Sequence, residues 1–156
     1  LIVDGGATAV GVESTIVACL PPGPALLRPG GLAREAIEAV LGRPLEAVAM
    51  GDDGPVSPGQ LASHYAPHAR IRLGATDVRP GEVLLAFGEP ARGDEARAVL
   101  NLSRRRDLVE AAANLFSHLR ALDAAGAGTI AVMPIPDEGL GEAINDRLRR
   151  AAAPRD

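Results

Sequence analysis

From about residue 70 onward the chain alternates short apolar runs with stretches of helical period, and this alternation restricts the fold more than any other feature of the sequence. Apolar runs at residues 71–73, 83–87, 98–100 and 129–133 suit buried strands rather than helices. Between the last two, Leu108, Ala112, Leu115, Leu119 and Leu122 recur with the period of about 3.6 residues that marks a helix face. Val109 and Phe116 widen that stripe, and Gly126 stands where a C-terminal cap belongs. A final helix is expected from about residue 140 to 152, with Leu140, Ile144 and Leu148 on one face and arginines near its end, where the helix dipole is negative. Strands alternating with helices in this way predict a parallel, Rossmann-like three-layer α/β/α domain over residues 70–156.

The first 48 residues follow another pattern. The apolar triplet Leu1-Ile2-Val3 reads as a strand, and further strands are expected near residues 14–19 and 25–28, joined by a turn at Pro21-Pro22-Gly23-Pro24. A helix over about 33–41 takes its apolar face from Ala36, Ile37, Val40 and Leu41 and stops at Gly42 and Pro44. So few elements do not close a core of their own. The sheet they belong to is expected to continue outside this sequence, which opens without Met on an apolar triplet. Strand edges left without partners predict partial disorder or aggregation of residues 1–48 in isolation. Residues 49–69 read as a linker, since 50–59 hold three Gly and two Pro and lack apolar periodicity.

Composition removes several classes of function. No run approaches the roughly eighteen apolar residues a membrane helix requires, and the start lacks the basic and apolar regions of a signal peptide, so a cytoplasmic protein with no membrane partner is expected. The single Cys19 allows neither an internal disulfide nor a cysteine-rich zinc site and reads as a small buried thiol. All 16 basic residues are Arg, and at a net charge of -4 there is no surplus of positive charge to hold a phosphate backbone. With only Tyr65, Phe87 and Phe116 as aromatics, a base-stacking platform is also hard to build, and nucleic acid is not the obvious direct partner.

Three segments have the residues for chemistry. The first joins Gly11-Val12-Glu13-Ser14-Thr15-Ile16-Val17 to Leu26-Leu27-Arg28-Pro29-Gly30-Gly31. Ser14 and Thr15 offer small hydroxyls, Arg28 offers a forked cation suited to phosphate or carboxylate, and the paired glycines lead into a helix N-terminus. The same residues also suit a structural strand start, a surface arginine and a helix-entry turn. The second runs from Ser57-Pro58-Gly59 to His64-Tyr65-Ala66-Pro67-His68, where Tyr65 suits stacking on a nucleotide and His64 donation to phosphate. The bland reading has Tyr65 pinning the linker and the histidines in solvent. Pro67 breaks the helical face that His64 and His68 would share as metal ligands, and no further ligand accompanies them. The third, residues 133–148, lies where a parallel strand ends and a helix begins, the place open α/β sheets put ligands. Its acidic residues are equally caps, and Asn145, Asp146 and Arg147 form a helix surface equally suited to packing between domains.

Taken in order and spacing, Gly11-Val12-Glu13-Ser14-Thr15-Ile16-Val17, Leu27-Arg28-Pro29-Gly30-Gly31, Ser57-Pro58-Gly59 and His64-Tyr65-Ala66-Pro67 resemble the two-domain threonylcarbamoyl-AMP synthases. Residues 110–116 and 139–148 are similar to that family's accessory domain. The resemblance implies a C-terminal fragment: residues 1–48 as the remnant of a YrdC-like twisted α/β sheet, 49–69 as a linker or lid, and 70–156 as the accessory domain. It implies a nucleotidyltransferase that condenses L-threonine, bicarbonate and ATP, with Mg2+ accompanying ATP, into threonylcarbamoyl-AMP and pyrophosphate for the threonylcarbamoyladenosine modification of tRNA. By the same resemblance Ser14 contacts L-threonine, Arg28 the ATP phosphates, and Tyr65 closes over the nucleotide, with weaker roles for Thr15 and His64. The family's Lys-x-Arg and Ser-x-Asn segments have no counterpart here, and the chain has no Lys, so on its own it should not turn over. Ala18 replaces an acidic residue common in relatives and receives no role. The alternative is a non-catalytic Rossmann-like module that binds a small ligand or docks a partner.

Overall fold

The computed structural model describes residues 1–6, 8–47, 67–90 and 96–154. Its elements run β1 (Ile16–Leu20), β2 (Gly23–Arg28), α1 (Arg34–Leu41), β3 (Glu46–Ala47), β4 (Arg70–Arg72), β5 (Val83–Ala86), β6 (Val99–Asn101), α2 (Leu108–Ala124), β7 (Thr129–Val132) and α3 (Leu140–Ala151).

The four later strands form one sheet in the order β4-β7-β5-β6, and every pairing is parallel. Because successive side chains of a strand point to opposite faces, β5 feeds two clusters. Val83 and Leu85 pack with Leu102, Leu115, Ile130, Ile144 and Leu148, while Leu84 and Ala86 pack with Ala75, Val78 and Ala131. All four β5 residues have 0% exposure, which explains why the run carries no polar alternation. α2 and α3 cover the first face; Ala75 and Val78 of the β4–β5 connection cover the second, with Ala96 and Met133 against them. The expectation of an α/β domain around a parallel sheet therefore holds.

Local chemistry sets the ends of α2. The Asp107 carboxylate accepts from the N–H groups of Val109 (2.8 Å) and Glu110 (3.1 Å), capping the start. Gly126, at φ +70°, turns left-handed just past the last helical turn. The same helix end holds the chain that enters β4, because Asp123 accepts from the N–H groups of His68 (3.0 Å) and Ala69 (2.8 Å).

In the smaller sheet β1 and β2 pair antiparallel and β3 adds to β2 in parallel. Two expectations fail here. Leu1, Ile2 and Val3 form no strand and are 120%, 95% and 85% exposed, for no described strand lies beside them to complete a ladder. Cys19 is exposed, not buried, because β1 is an edge strand whose far end no described layer covers. The apolar face expected for α1 exists in sequence, yet none of its residues is buried.

Most of the expected linker, with Ser57, His64 and Tyr65, lies outside the described residues. Among the described residues no helix is long and apolar enough to cross a membrane.

Candidate functional site

The antiparallel register sets Ile16 opposite Arg28, so the residues before β1 run alongside the end of β2. Two of the groups singled out in the sequence meet there. The Arg28 guanidinium donates to the Ser14 carbonyl from Nε (3.1 Å) and Nη2 (2.8 Å), and Nη2 also reaches Ser14 Oγ at 3.2 Å. Arg28 is 8% exposed, and charge-assisted bonds in such a dry setting are stronger than their counterparts in water. Ser14 itself is exposed and lines an open groove of about 600 Å³ with Val10, Val12, Glu13, Thr15, Leu32 and Ile37. A largely apolar groove with a hydroxyl and a carboxylate on its wall, and a fixed cation behind the hydroxyl, suits a small ligand that carries both an apolar part and polar groups.

The pieces of the site are locked by backbone contacts. Gly31 N–H donates to the Glu13 carbonyl at 2.8 Å. Gly30 is required for that approach, since a Cβ there would stand 2.4 Å from the Glu13 carbonyl oxygen and from backbone atoms of Ser14 and Thr15. Thr15 Oγ1 donates to the Leu32 carbonyl (2.6 Å) and accepts from the Leu32 N–H (3.0 Å), which ties the turn after β2 to the start of β1.

α3 holds this corner from the other side. The Arg147 guanidinium donates from Nε (3.0 Å) and Nη2 (2.8 Å) to Glu13 Oε2, and from Nη1 to the Pro29 carbonyl (2.9 Å) and Asp146 Oδ2 (2.8 Å). Arg34 pairs with Glu142 through Nε at 3.2 and 3.1 Å, a contact that raises the Arg34 pKa. Glu35 accepts from the Gly139 N–H at 3.1 Å; a bond from its own backbone N–H, and then this one, lower the Glu35 pKa. Gly11, at φ +71°, lies against the backbone of α2 at Ala112 and Ala113.

The third segment of the sequence takes part in packing and also lines a cavity of about 270 Å³ with Met133, Pro134, Ile135 and Asn145. Asn145 donates to the Ile135 carbonyl and to Asp137 Oδ1, both at 3.1 Å, and holds the turn before α3. Asp146 and Arg147 face the smaller sheet's corner. A separate depression of about 540 Å³ between residues 68–71 and 151–154 contains none of the candidate residues of the sequence except His68. Among the described residues no group of three or more His, Cys, Asp or Glu side chains converges on a metal position.

A family model described as Threonylcarbamoyl-AMP synthase, C-terminal domain, matches residues 32–153. The threonylcarbamoyl-AMP synthase of Bacillus subtilis strain 168 is 38% identical over 99% of this chain and 49% of its own length. Those of Pyrococcus abyssi (35% identical, 99% of this chain, 49% of its own) and Schizosaccharomyces pombe (33%, 98% and 45%) align likewise. The chain spans about half the length of the curated relatives it matches. Among solved structures, P. abyssi Sua5 complexed with L-threonine superposes with a TM-score of 0.79 at 31% identity, covering 96% of this chain and 48% of that one. A variant of that protein with a histidine and the adjacent tyrosine changed to alanine gives 0.74 at 30% identity, over 96% and 47%.

Proposed function

The chain belongs to the threonylcarbamoyl-AMP synthase family, and on that premise we propose that it forms the C-terminal part of a cytoplasmic nucleotidyltransferase making threonylcarbamoyl-AMP and pyrophosphate from L-threonine, bicarbonate and ATP. Residues 1–48 then complete the catalytic sheet, 49–69 are its lid, and 70–156 are the accessory domain. The observation that carries the reading is the contact of the buried Arg28 with Ser14, which lines an open groove. A relative solved with L-threonine supports the choice of ligand.

The chemistry runs in two steps. The threonine amine takes the carbon of bicarbonate to give a carbamate, and water leaves. A carbamate oxygen then bonds to the α-phosphorus of ATP while the bond from that phosphorus to pyrophosphate breaks. Ser14 Oγ holds the L-threonine, and Arg28, fixed beside it, supplies positive charge toward the phosphates. Thr15 secures the floor through Leu32. Carbamate and acyl adenylate both hydrolyse, so a lid bearing Tyr65 and His64 that excludes water has a chemical purpose. The relative in which a His-Tyr pair was replaced supports attention to this pair. Magnesium enters with ATP, held by phosphates and water; the Glu13 carboxylate beside Ser14 is already bonded to Arg147. The adenylate then serves threonylcarbamoyladenosine formation on tRNA through other proteins, without direct tRNA contact by this chain.

The test is calorimetric titration of ATP, with L-threonine and bicarbonate present, into the full-length protein and into this chain, with pyrophosphate release followed in parallel. Binding and release are expected from the full-length protein alone, and Tyr65→Ala is expected to slow release there by tenfold or more, roughly the effect of losing a closing element. A full-length protein that releases no pyrophosphate overturns the reading. ATP binding by this chain alone overturns the claim that the site needs the rest of the protein, and binding that persists in Arg28→Ala would place it in the accessory domain.

A further inference from the structure

We propose that Arg147, on α3 of the accessory domain, is a positioning residue for the Ser14–Arg28 pair, one buried guanidinium that fixes both members at once. The proposal rests on the function given above to that pair and adds to it a residue remote in sequence.

Arg147 is 1% exposed, so its charge must be fully paired where it sits. Its partners are the Glu13 carboxylate on one side and the Pro29 carbonyl on another, with Asp146 completing the set. Glu13 is bonded in sequence to Ser14, and Pro29 to Arg28. Each ligand-bearing segment is therefore anchored, one residue away from its functional group, to the same rigid plane. A shift of the β1 start relative to the β2 end would break one set of these bonds. The planar fork sets separation and orientation together, which the single point charge of a lysine does not.

The fork is itself buttressed. Asp146 accepts from Arg150 Nε (3.2 and 3.0 Å) and Nη2 (3.0 Å), which leaves the carboxylate little freedom to turn away from Arg147. A second ion pair between α3 and the smaller sheet's region, Arg34 with Glu142, has side chains 29% and 20% exposed and adjoins neither Ser14 nor Arg28. It provides docking without site geometry and serves as the internal control.

The experiment uses the full-length protein with Arg147→Lys, Glu13→Gln and Glu142→Gln, measuring pyrophosphate release against L-threonine concentration and the Tm of each variant. Arg147→Lys and Glu13→Gln are expected to raise KM for L-threonine by roughly tenfold, the scale of losing a charged hydrogen bond that shapes a site. Glu142→Gln is expected to leave KM within about twofold even where its Tm falls as far. An unmoved KM in Arg147→Lys and Glu13→Gln overturns the proposal. So does an equal rise in Glu142→Gln at equal loss of Tm, which would make Arg147 a docking residue only. If Arg147→Lys does not fold, Asp146→Asn decides in its place by the same KM criterion, since it keeps shape, removes a charged partner of the Arg147 fork and lies outside the groove that Glu13 and Ser14 line. A wild-type protein that releases no pyrophosphate sinks the functional reading, whereas an active wild type with unmoved variants sinks only the positioning role.

Discussion

In the four-stranded sheet and the helices on it, Val83, Leu84, Leu85, Leu115, Ile130 and Ile144 are wholly removed from solvent, whereas among its larger side chains the three-stranded sheet buries only Leu26 and Arg28, with Leu45 just before β3, and its helix α1 buries none. The larger sheet is held by its own core. The smaller is held from outside: Gly11 on the α2 backbone, Val12 against the accessory core, Glu13 and Pro29 on Arg147, and Arg34 on Glu142. The residues proposed to meet substrate lie in the region with the poorer core. Precision at Ser14 and Arg28 therefore depends on contacts with the other region, and fold stability and site geometry become separable quantities.

The separation predicts unequal answers to mutation. Leu115→Ala, at a site with no exposure, should cost about 3 kcal/mol in urea unfolding, in the usual range for a buried leucine. A cost near zero would mean the accessory core does not carry the fold. Gly11→Ala should cost less, about 2 kcal/mol, since the residue is left-handed and its new Cβ would stand 2.4 Å from Ala112 and Ala113 backbone atoms. That cost should appear as faster amide exchange in residues 11–47 with β5 unchanged. Faster exchange in β5 as well would show that the two regions unfold together.

How much of this was legible in the sequence follows the same division. α2, β5 and β7 could be read because their apolar residues answer to a core made within the chain, so period and burial agree. Leu1-Ile2-Val3 and Cys19 misled because burial there requires neighbours that local pattern does not supply. β3, two residues long and joined to β2 in parallel, offered no pattern to read. Ser14 and Arg28 stood out by residue type and by flanking glycines, but their contact depends on register. Arg147 was visible only as part of a helix surface suited to packing. Its partner at Pro29 is a backbone carbonyl, which no residue-type argument can identify.

Acid should sharpen the contrast from the larger region's side. Glu82, 7% exposed, accepts from Arg72 Nε (2.9 Å) and Nη2 (2.6 Å) and from the Arg79 N–H (2.9 Å). The Arg72 hydrogen bond is the main cause that lowers its pKa below the ordinary 4.5. A carboxyl lowered in the fold stabilises above its unfolded pKa, and that contribution is lost as pH falls through the folded value. The stability of the accessory region against unfolding should therefore fall below about pH 4.5. Glu82→Gln should cost about 1 kcal/mol at neutral pH and flatten this acid slope. An unchanged slope in the variant would assign the acid sensitivity to other carboxylates.

The smallest expected effect is the most informative about the smaller region. Val40 is 88% exposed on α1, beside Leu41 at 43%, so Val40→Ala in this chain removes methyl groups already in water. Alanine is also the better helix former, and the net change should stay within about 0.5 kcal/mol of zero. If residues 1–48 complete a larger catalytic sheet, that face of α1 gains a cover in the full-length protein, and the same substitution should there cost about 2 kcal/mol as a core truncation. Thermal unfolding of the variant against its parent at both lengths measures the difference directly. A clear gap would show a core divided between two halves of one protein. No gap would mean that α1 packs on nothing further, and the smaller sheet would depend on α2 and α3 for all of its order.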